Sequence, residues 1–155
     1  MSKVTEALAK KLSEKLDEKY LKKHPTKDYL TVINPMGVVE RLNQVFGVGA
    51  WQFTTEYIDC CETKTRAGAT KYMGVVIGRV IVPEYDIHIE QYGGSTNDDM
   101  GDALKGSATD ALTKCASYLD VAGYIYRGEI DPPKDKPKSY PADFVKGVPF
   151  GEEED

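Results

Sequence analysis

The sequence predicts an α+β fold in which N-terminal helices lead into a three-stranded antiparallel meander, and a long helix packs on that meander. Three observations predict it. Apolar residues recur at three- and four-residue spacing before position 47, follow strand patterns between 51 and 92, and return to helical spacing after 101. With 155 residues, the chain is long enough for one domain with a single core.

The first predicted helix covers residues 3–22 and ends before His24-Pro25, because a residue that precedes proline is disfavoured in helical geometry. Lysines outnumber acidic residues along it, which fits either a solvated face or a contribution to phosphate binding. Its apolar stripe consists of Val4, Ala7, Leu8, Leu12, Leu16 and Tyr20.

The second predicted helix has recognisable signals at both ends. Asn34 is the expected N-cap, and Pro35 takes the first helical position, where its missing N–H costs nothing. Gly47 is the expected left-handed C-cap. The stripe that faces the core consists of Val38, Val39, Leu42, Val45 and Phe46.

Three strands follow. Residues 51–60 alternate and predict a half-buried strand with Trp51, Phe53, Thr55 and Tyr57 on one face. Residues 71–82 are apolar on both faces and predict the central strand, which Pro83 ends; residues 85–94 return as the third. Gly74 and Gly78 share a face of the central strand, where a neighbouring backbone is expected to approach closely.

The last predicted helix, from Gly101 to about Leu119, has an unusually thin apolar face. Asp98 or Asp99 is the expected cap. Small residues in the stripe predict a short distance between helix and sheet, and residues 124–128 predict a short extended exit. The stripe consists of Leu104, Ala108, Ala111, Leu112, Cys115 and Leu119.

Charge and composition divide the chain at position 130. The net charge is −5, and residues 131–155 carry seven acidic and four basic residues together with several prolines. We therefore expect a core domain over residues 1–130 and a disordered, proline-rich acidic tail over residues 131–155. The tail is either solubilising or a ligand for a basic groove or a partner protein.

Signatures of catalysis are scarce. The sequence has no phosphate-binding glycine loop, its three cysteines lack metal-ligand spacing, and His24 and His88 are isolated. The acidic cluster at 98–102 is better explained by helix capping than by a metal site. We therefore expect neither an enzyme nor a cofactor or metal. Without a membrane span or a signal-peptide pattern, we expect a cytoplasmic protein.

The loop between the first two strands concentrates positive charge. Lys64, Arg66 and Lys71 lie within eight residues, opposed only by Glu62. Cations at a hairpin tip protect against edge pairing. They also suit a flexible finger that follows a phosphate backbone. Both interpretations stay open.

Two motifs in this order resemble the Rad52 superfamily of single-strand annealing proteins, and most closely its short bacterial and phage branch, the Sak-type and DdrA-like proteins. The resemblance covers about residues 29–127. The first motif is "RLNQVFGVGAW", residues 41–51, and the second is "GDALKGSATDALTKCASYLDVAGYIY", residues 101–126.

The resemblance implies a β-β-β-α core that forms rings or helical filaments. It also implies that single-stranded DNA lies in a basic groove between hairpin and helix, and that complementary strands anneal in recombination and repair without ATP. Candidate partners are single-stranded DNA, further copies of the chain and a single-strand binding protein, with no membrane. The candidate DNA-binding residues are Lys105, Lys114, Lys64, Arg66 and Lys71, followed by Arg41, Arg79 and Arg127.

The chain departs from the family pattern in its positive charge. The family helix carries a Lys-Arg pair where this chain has Thr113-Lys114, and the next turn offers Ser117 in place of an arginine. We therefore expect weak or strongly salt-dependent binding. Arg79, between two isoleucines, could instead be a paired structural residue. The alternative function is an oligomeric structural or regulatory module that keeps the fold and has little affinity for DNA.

Overall fold

A computed structural model of the protein describes residues 4–130, and the expected disordered tail at 131–155 lies outside the described residues. The fold class is the predicted α+β arrangement. In chain order the elements are α1 (Glu6–Ser13), a 3-10 turn (Glu18–Tyr20), β1 (Leu21–Lys23), β2 (Thr31–Ile33), α2 (Pro35–Phe46), β3 (Gln52–Lys64), β4 (Thr70–Val82), a 3-10 turn (Pro83–Tyr85), β5 (Ile87–Asn97), α3 (Met100–Ser117) and α4 (Gly123–Tyr126).

The first helix is much shorter than predicted. It begins at the N-cap Thr5 and ends at Ser13, and the chain then runs through a 3-10 turn into β1, which pairs with β2 in a small antiparallel sheet. The guanidinium of Arg41 donates to the carbonyl oxygens of Lys11 and Glu14 at 2.9 and 2.6 Å. These carbonyls lie at the open end of the helix, so Arg41 terminates what the apolar periodicity alone would have continued. The prediction of one helix over 3–22 was wrong.

The second helix begins and ends where the sequence predicted. The side chain of Asn34 accepts a hydrogen bond from the backbone N–H of Met36, and Pro35 is the first helical residue. Gly47 follows the helix with φ of 98° and ψ of 148°. This is a conformation that favours glycine, although it is not the left-handed helical cap that we expected.

The three long strands form the predicted antiparallel meander in the order β3-β4-β5. Helix α3 lies over β4 and β5 and hardly reaches β3. For this reason the prediction of a half-buried first strand was only partly right. Phe53 is half-buried, but Tyr57 exposes 61% of its surface. The pairing shifts register between Tyr57 and Asp59, which marks a bulge in this edge strand.

Close packing between α3 and the sheet is confirmed. A Cβ atom added to Gly74 would lie 2.9 Å from the Ser107 hydroxyl, and one added to Gly78 would lie 2.6 Å from the Ala111 Cβ. The sequence did not single out Gly93, where an added Cβ would lie only 1.9 Å from the Ser107 carbonyl oxygen. The helix face is thin because these two strands leave it no room for larger side chains.

The chain leaves α3 differently from the prediction. Ala122 adopts a left-handed conformation with φ of 58°, and residues 123–126 form the short helix α4 where an extended exit was expected. Packing decides the difference, because Tyr124 is buried and its hydroxyl accepts a hydrogen bond from the backbone N–H of Leu16 at 3.0 Å. This bond joins the end of the described chain to its N-terminal region.

Candidate nucleic-acid interface

A groove of about 650 Å³ runs between α3, the edge of β5 and the segment that joins β1 to β2. Its walls are mostly apolar, aromatic or hydroxyl-bearing side chains. Tyr29 and Tyr126 are prominent among them because they expose 74% and 50% of their surfaces. The remaining lining residues are His24, Pro25, Leu30, Thr31, Val32, Ile33, Met73, Val75, Gly94, Ser95, Thr96, Gly106, Thr109, Asp110, Thr113, Ile125, Gly128 and Ile130.

The two predicted lysines of α3 lie on either side of this groove. Lys105 and Lys114 are nine residues apart, which is about two and a half helical turns, so they project from opposite sides of the helix. The lining positions Gly106, Asp110 and Thr113 occupy the arc between them. The structure therefore places the two lysines on opposite sides of the helix, one beside each wall of the groove.

Asp110 connects the helix to the edge of the sheet. Its Oδ2 accepts hydrogen bonds from the backbone N–H of Gly94 at 3.0 Å and from Lys114 Nζ at 2.8 Å. Lys114 is thereby fixed beside the groove and largely neutralised. Desolvation, and to a lesser degree the charge of Asp110, raise the pKa of the Tyr126 phenol. That hydroxyl therefore remains protonated at neutral pH and can donate a hydrogen bond.

The hairpin between β3 and β4 carries the predicted basic tip. Gly68 has φ of 84°, a left-handed conformation that allows the turn. The Thr65 N–H donates a hydrogen bond to the Ala69 carbonyl oxygen at 2.9 Å across the turn. Lys64 Nζ donates to the Thr70 hydroxyl, and Arg66 is exposed. Within residues 4–130, neither Lys64 nor Arg66 is paired with a carboxylate.

This tip lies close to the groove. Strand β4 runs from Thr70 at the tip to Met73 in the groove wall, which is three residues or about 10 Å along a strand. Lys71, between the two, is bound to Asp98 at 2.6 Å, and Lys105 lies 3.7 Å from Asp102. The carboxylates that precede and begin α3 therefore compensate two of the predicted phosphate ligands.

The three predicted arginines Arg41, Arg79 and Arg127 make hydrogen bonds or ion pairs with other residues of the chain. Arg41 is buried and bonded to backbone carbonyls, as described above, so we leave it out of the proposed interface. Arg79 joins Glu56 and Glu90 across the three strands, on the sheet face away from α3. Arg127 is held by Asp120 and Glu129. Pairing was the alternative that the sequence left open for Arg79.

Sequence reasoning missed one wall of the groove. No motif singled out residues 24–33, although Tyr29 is an aromatic residue within a polar turn, which is the signal that could have indicated it. The Nδ1 of His24 accepts hydrogen bonds from the backbone N–H groups of Thr26 and Lys27, so this nitrogen is used within its own turn. His88 is exposed on its strand, as expected.

The described part of the chain contains no cluster of three or more histidine, cysteine or acidic residues that could hold a metal ion. None of its helices is long and apolar enough to cross a membrane. The cysteines are free thiols, and burial raises the pKa of Cys115 while Asp59 raises that of Cys61. Thiols with raised pKa values are poor nucleophiles.

Comparison with known proteins gives one finding that bears on these features. No curated protein matches the chain. A family model described as Rad52/22 family double-strand break repair protein matches residues 4–138, which is most of the sequence and includes every element of the fold. The chain therefore belongs to the Rad52/22 family of double-strand break repair proteins.

Proposed function

We propose that the protein binds single-stranded DNA and anneals complementary strands without nucleotide hydrolysis. The observation that supports this most directly is the pair Lys64 and Arg66, two cations at a hairpin tip that no described carboxylate neutralises. Cations at such a tip can hold phosphates while the base edges stay free to pair, which is what annealing requires.

The proposed path of the strand starts at the tip and continues past Lys71 and along the sides of α3. Lys71, Lys105 and Lys114 would contact phosphates only in competition with Asp98, Asp102 and Asp110. Each such contact needs an internal ion pair to be exchanged for one with DNA. We therefore expect binding to be weak and to fall steeply with salt, by a logarithmic slope of about 0.7 per phosphate contacted.

Annealing of two end-labelled complementary oligonucleotides at low salt tests the proposal. We expect wild type to accelerate annealing and the double variant Lys64→Glu/Arg66→Glu to lose most of that acceleration, by on the order of tenfold or more. The matched control is Lys10→Glu/Lys11→Glu, which changes the charge equally on the exposed side of α1. Equal losses in both variants would mean either that net charge alone matters or that the lysines of α1 bind phosphates as well, and in both cases the tip would not be the distinct site.

One observation favours the second candidate function, a structural or regulatory module with little affinity for DNA. Lys71, Arg79, Lys105, Lys114 and Arg127 all have carboxylate partners within the chain. If wild type forms an assembly but neither binds nor anneals single strands at low salt, this second function replaces the first. The assembly can be measured on the same samples by light scattering.

A further inference from the structure

The groove beside α3 is unlike the basic tip, because it is nearly uncharged. Among its described lining residues, Asp110 is the one Asp, Glu, Lys or Arg, and it is paired with Lys114 at 2.8 Å. The other walls include Leu30, Met73 and Tyr126, which expose 39%, 43% and 50% of their surfaces. Such a surface favours an apolar and neutral occupant over a polyanion.

The described chain ends in this groove. Gly128 and Ile130 are themselves lining residues, so the sequence that follows starts at the groove wall. Residues 131–139 supply nine residues, which can span up to about 30 Å. A segment on so short a tether is present at an effective concentration in the millimolar range, so even weak contacts with the groove would hold it.

The sequence beyond that tether fits the groove. Residues 140–150 read YPADFVKGVPF, with five large apolar or aromatic side chains, one acidic residue and one lysine. They are the most apolar part of the chain after position 130. The family match ends at residue 138, before this segment begins.

We propose that residues 140–150 of the protein dock in the groove of their own chain, with Phe144, Val145 and Phe150 against its apolar walls. The four acidic residues 152–155 follow Phe150 after one glycine. Docking thus brings them within reach of the cations beside the groove, Lys71 and Lys114, where they compete with phosphates. This second consequence rests on the proposed function, whereas the docking itself does not.

Photo-crosslinking in the full chain tests the docking. Phe144 is replaced by the photoreactive p-benzoylphenylalanine, and the crosslinked peptides are identified by mass spectrometry without DNA. We expect most crosslinks on residues 24–33, 73–75 and 125–130. Crosslinks spread over the surface, or an absence of crosslinks, would overturn the proposal. In mixtures of isotopically heavy and light chains, crosslinks only between chains would overturn its intramolecular form.

Two wall variants sharpen this test. Leu30→Asp and Tyr126→Asp place a charge on partly exposed walls of the groove, and each should reduce the crosslink yield several-fold. The matched control is Val48→Asp, at an apolar position that is 87% exposed and lies outside the groove, and it should leave the yield unchanged. Circular dichroism confirms that each variant is folded. An equal reduction in all three would contradict docking at this site.

The competition with DNA needs its own measurement. Phe144→Ser/Val145→Ser/Phe150→Ser should bind a labelled single-stranded oligonucleotide several-fold more tightly than wild type at low salt. Equal affinities, with crosslinks still in the groove, would remove the competition and keep the docking. Crosslinks in the groove without oligonucleotide binding by either protein would refute the proposed function alone. The two failures are therefore distinguishable.

Discussion

The two edges of the three-stranded sheet differ in how closely they are packed against α3. One row of three paired residues across the sheet shows the difference. Tyr57, Val76 and Gly93 are register partners on β3, β4 and β5, and all three lie on the face that carries α3. Gly93 has no room for a Cβ, Val76 is 4% exposed, and Tyr57 is 61% exposed. On the β5 side, packing against α3 is so close that not even one additional carbon atom fits at Gly93. On the β3 side, the large side chain of Tyr57 lies mostly in solvent.

This contrast indicates which positions of the sheet are free of packing constraints and can therefore carry side chains for binding. Substitutions under α3 must preserve a close helix-to-sheet distance, and at Gly74, Gly78 and Gly93 even an added Cβ atom would lie too close to the helix. The β3 edge and its hairpin tip contribute few side chains to the core, so they can carry exposed cations at little cost in stability. The proposed DNA contacts lie on this second side and along the margins of α3.

The largest expected effect is a loss of stability from a substitution on β5, the side of the sheet that α3 covers. Gly93→Ala introduces a Cβ that would lie 1.9 Å from the Ser107 carbonyl oxygen and 2.6 Å from the Ala111 nitrogen, both backbone atoms that can move only with the helix. We expect the free energy of unfolding to fall by about 3 kcal/mol or more. Urea denaturation measures it. Gly94→Ala is the control, because its nearest atom is 3.7 Å away and the cost should stay below about 0.5 kcal/mol. Similar losses at both positions would contradict the contrast.

A smaller effect on stability is expected from substitutions at the other two residues of the row, Val76 and Tyr57. Val76→Ala removes buried methyl groups and should lower the free energy of unfolding by about 2 kcal/mol. Tyr57→Ser removes a much larger side chain from the exposed edge and should change it by less than about 0.5 kcal/mol. Denaturation curves of both variants give the comparison. A greater loss for Tyr57→Ser would mean that the edge is covered in solution.

The smallest effect concerns the opposite face of the sheet. Arg79, through its hydrogen bond and its charge, holds the pKa of Glu90 below its ordinary value of 4.5. A lowered carboxyl pKa stabilises the fold above the unfolded value, and this contribution is lost as pH falls through the folded value. Because Glu90 is about half exposed, we expect a small and salt-sensitive effect. The difference in urea midpoint between wild type and Glu90→Gln should shrink from neutral pH towards pH 3 and below. A difference that is constant with pH would exclude the pair as its cause.

Much of the fold could be predicted from local signals. The N-cap of α2, the meander and the central place of β4 follow from residue types and periodicity, and all three are confirmed. Gly74 and Gly78 correctly indicated close packing. The opposite placement of Lys105 and Lys114 also follows from their nine-residue spacing, so here the signal was present and was not used.

What the sequence by itself determined is therefore the identity of the elements, since caps, turns and apolar periods act within a few residues. The tertiary structure alone decided how those elements meet. It ended α1 at Ser13 through Arg41, some thirty residues away, and it set α3 over β5 while leaving β3 bare. It also gave Lys71 and Arg79 carboxylate partners from distant segments, Asp98 for Lys71 and Glu56 and Glu90 for Arg79. Such contacts depend on distances between segments far apart in the chain, and no local pattern encodes them.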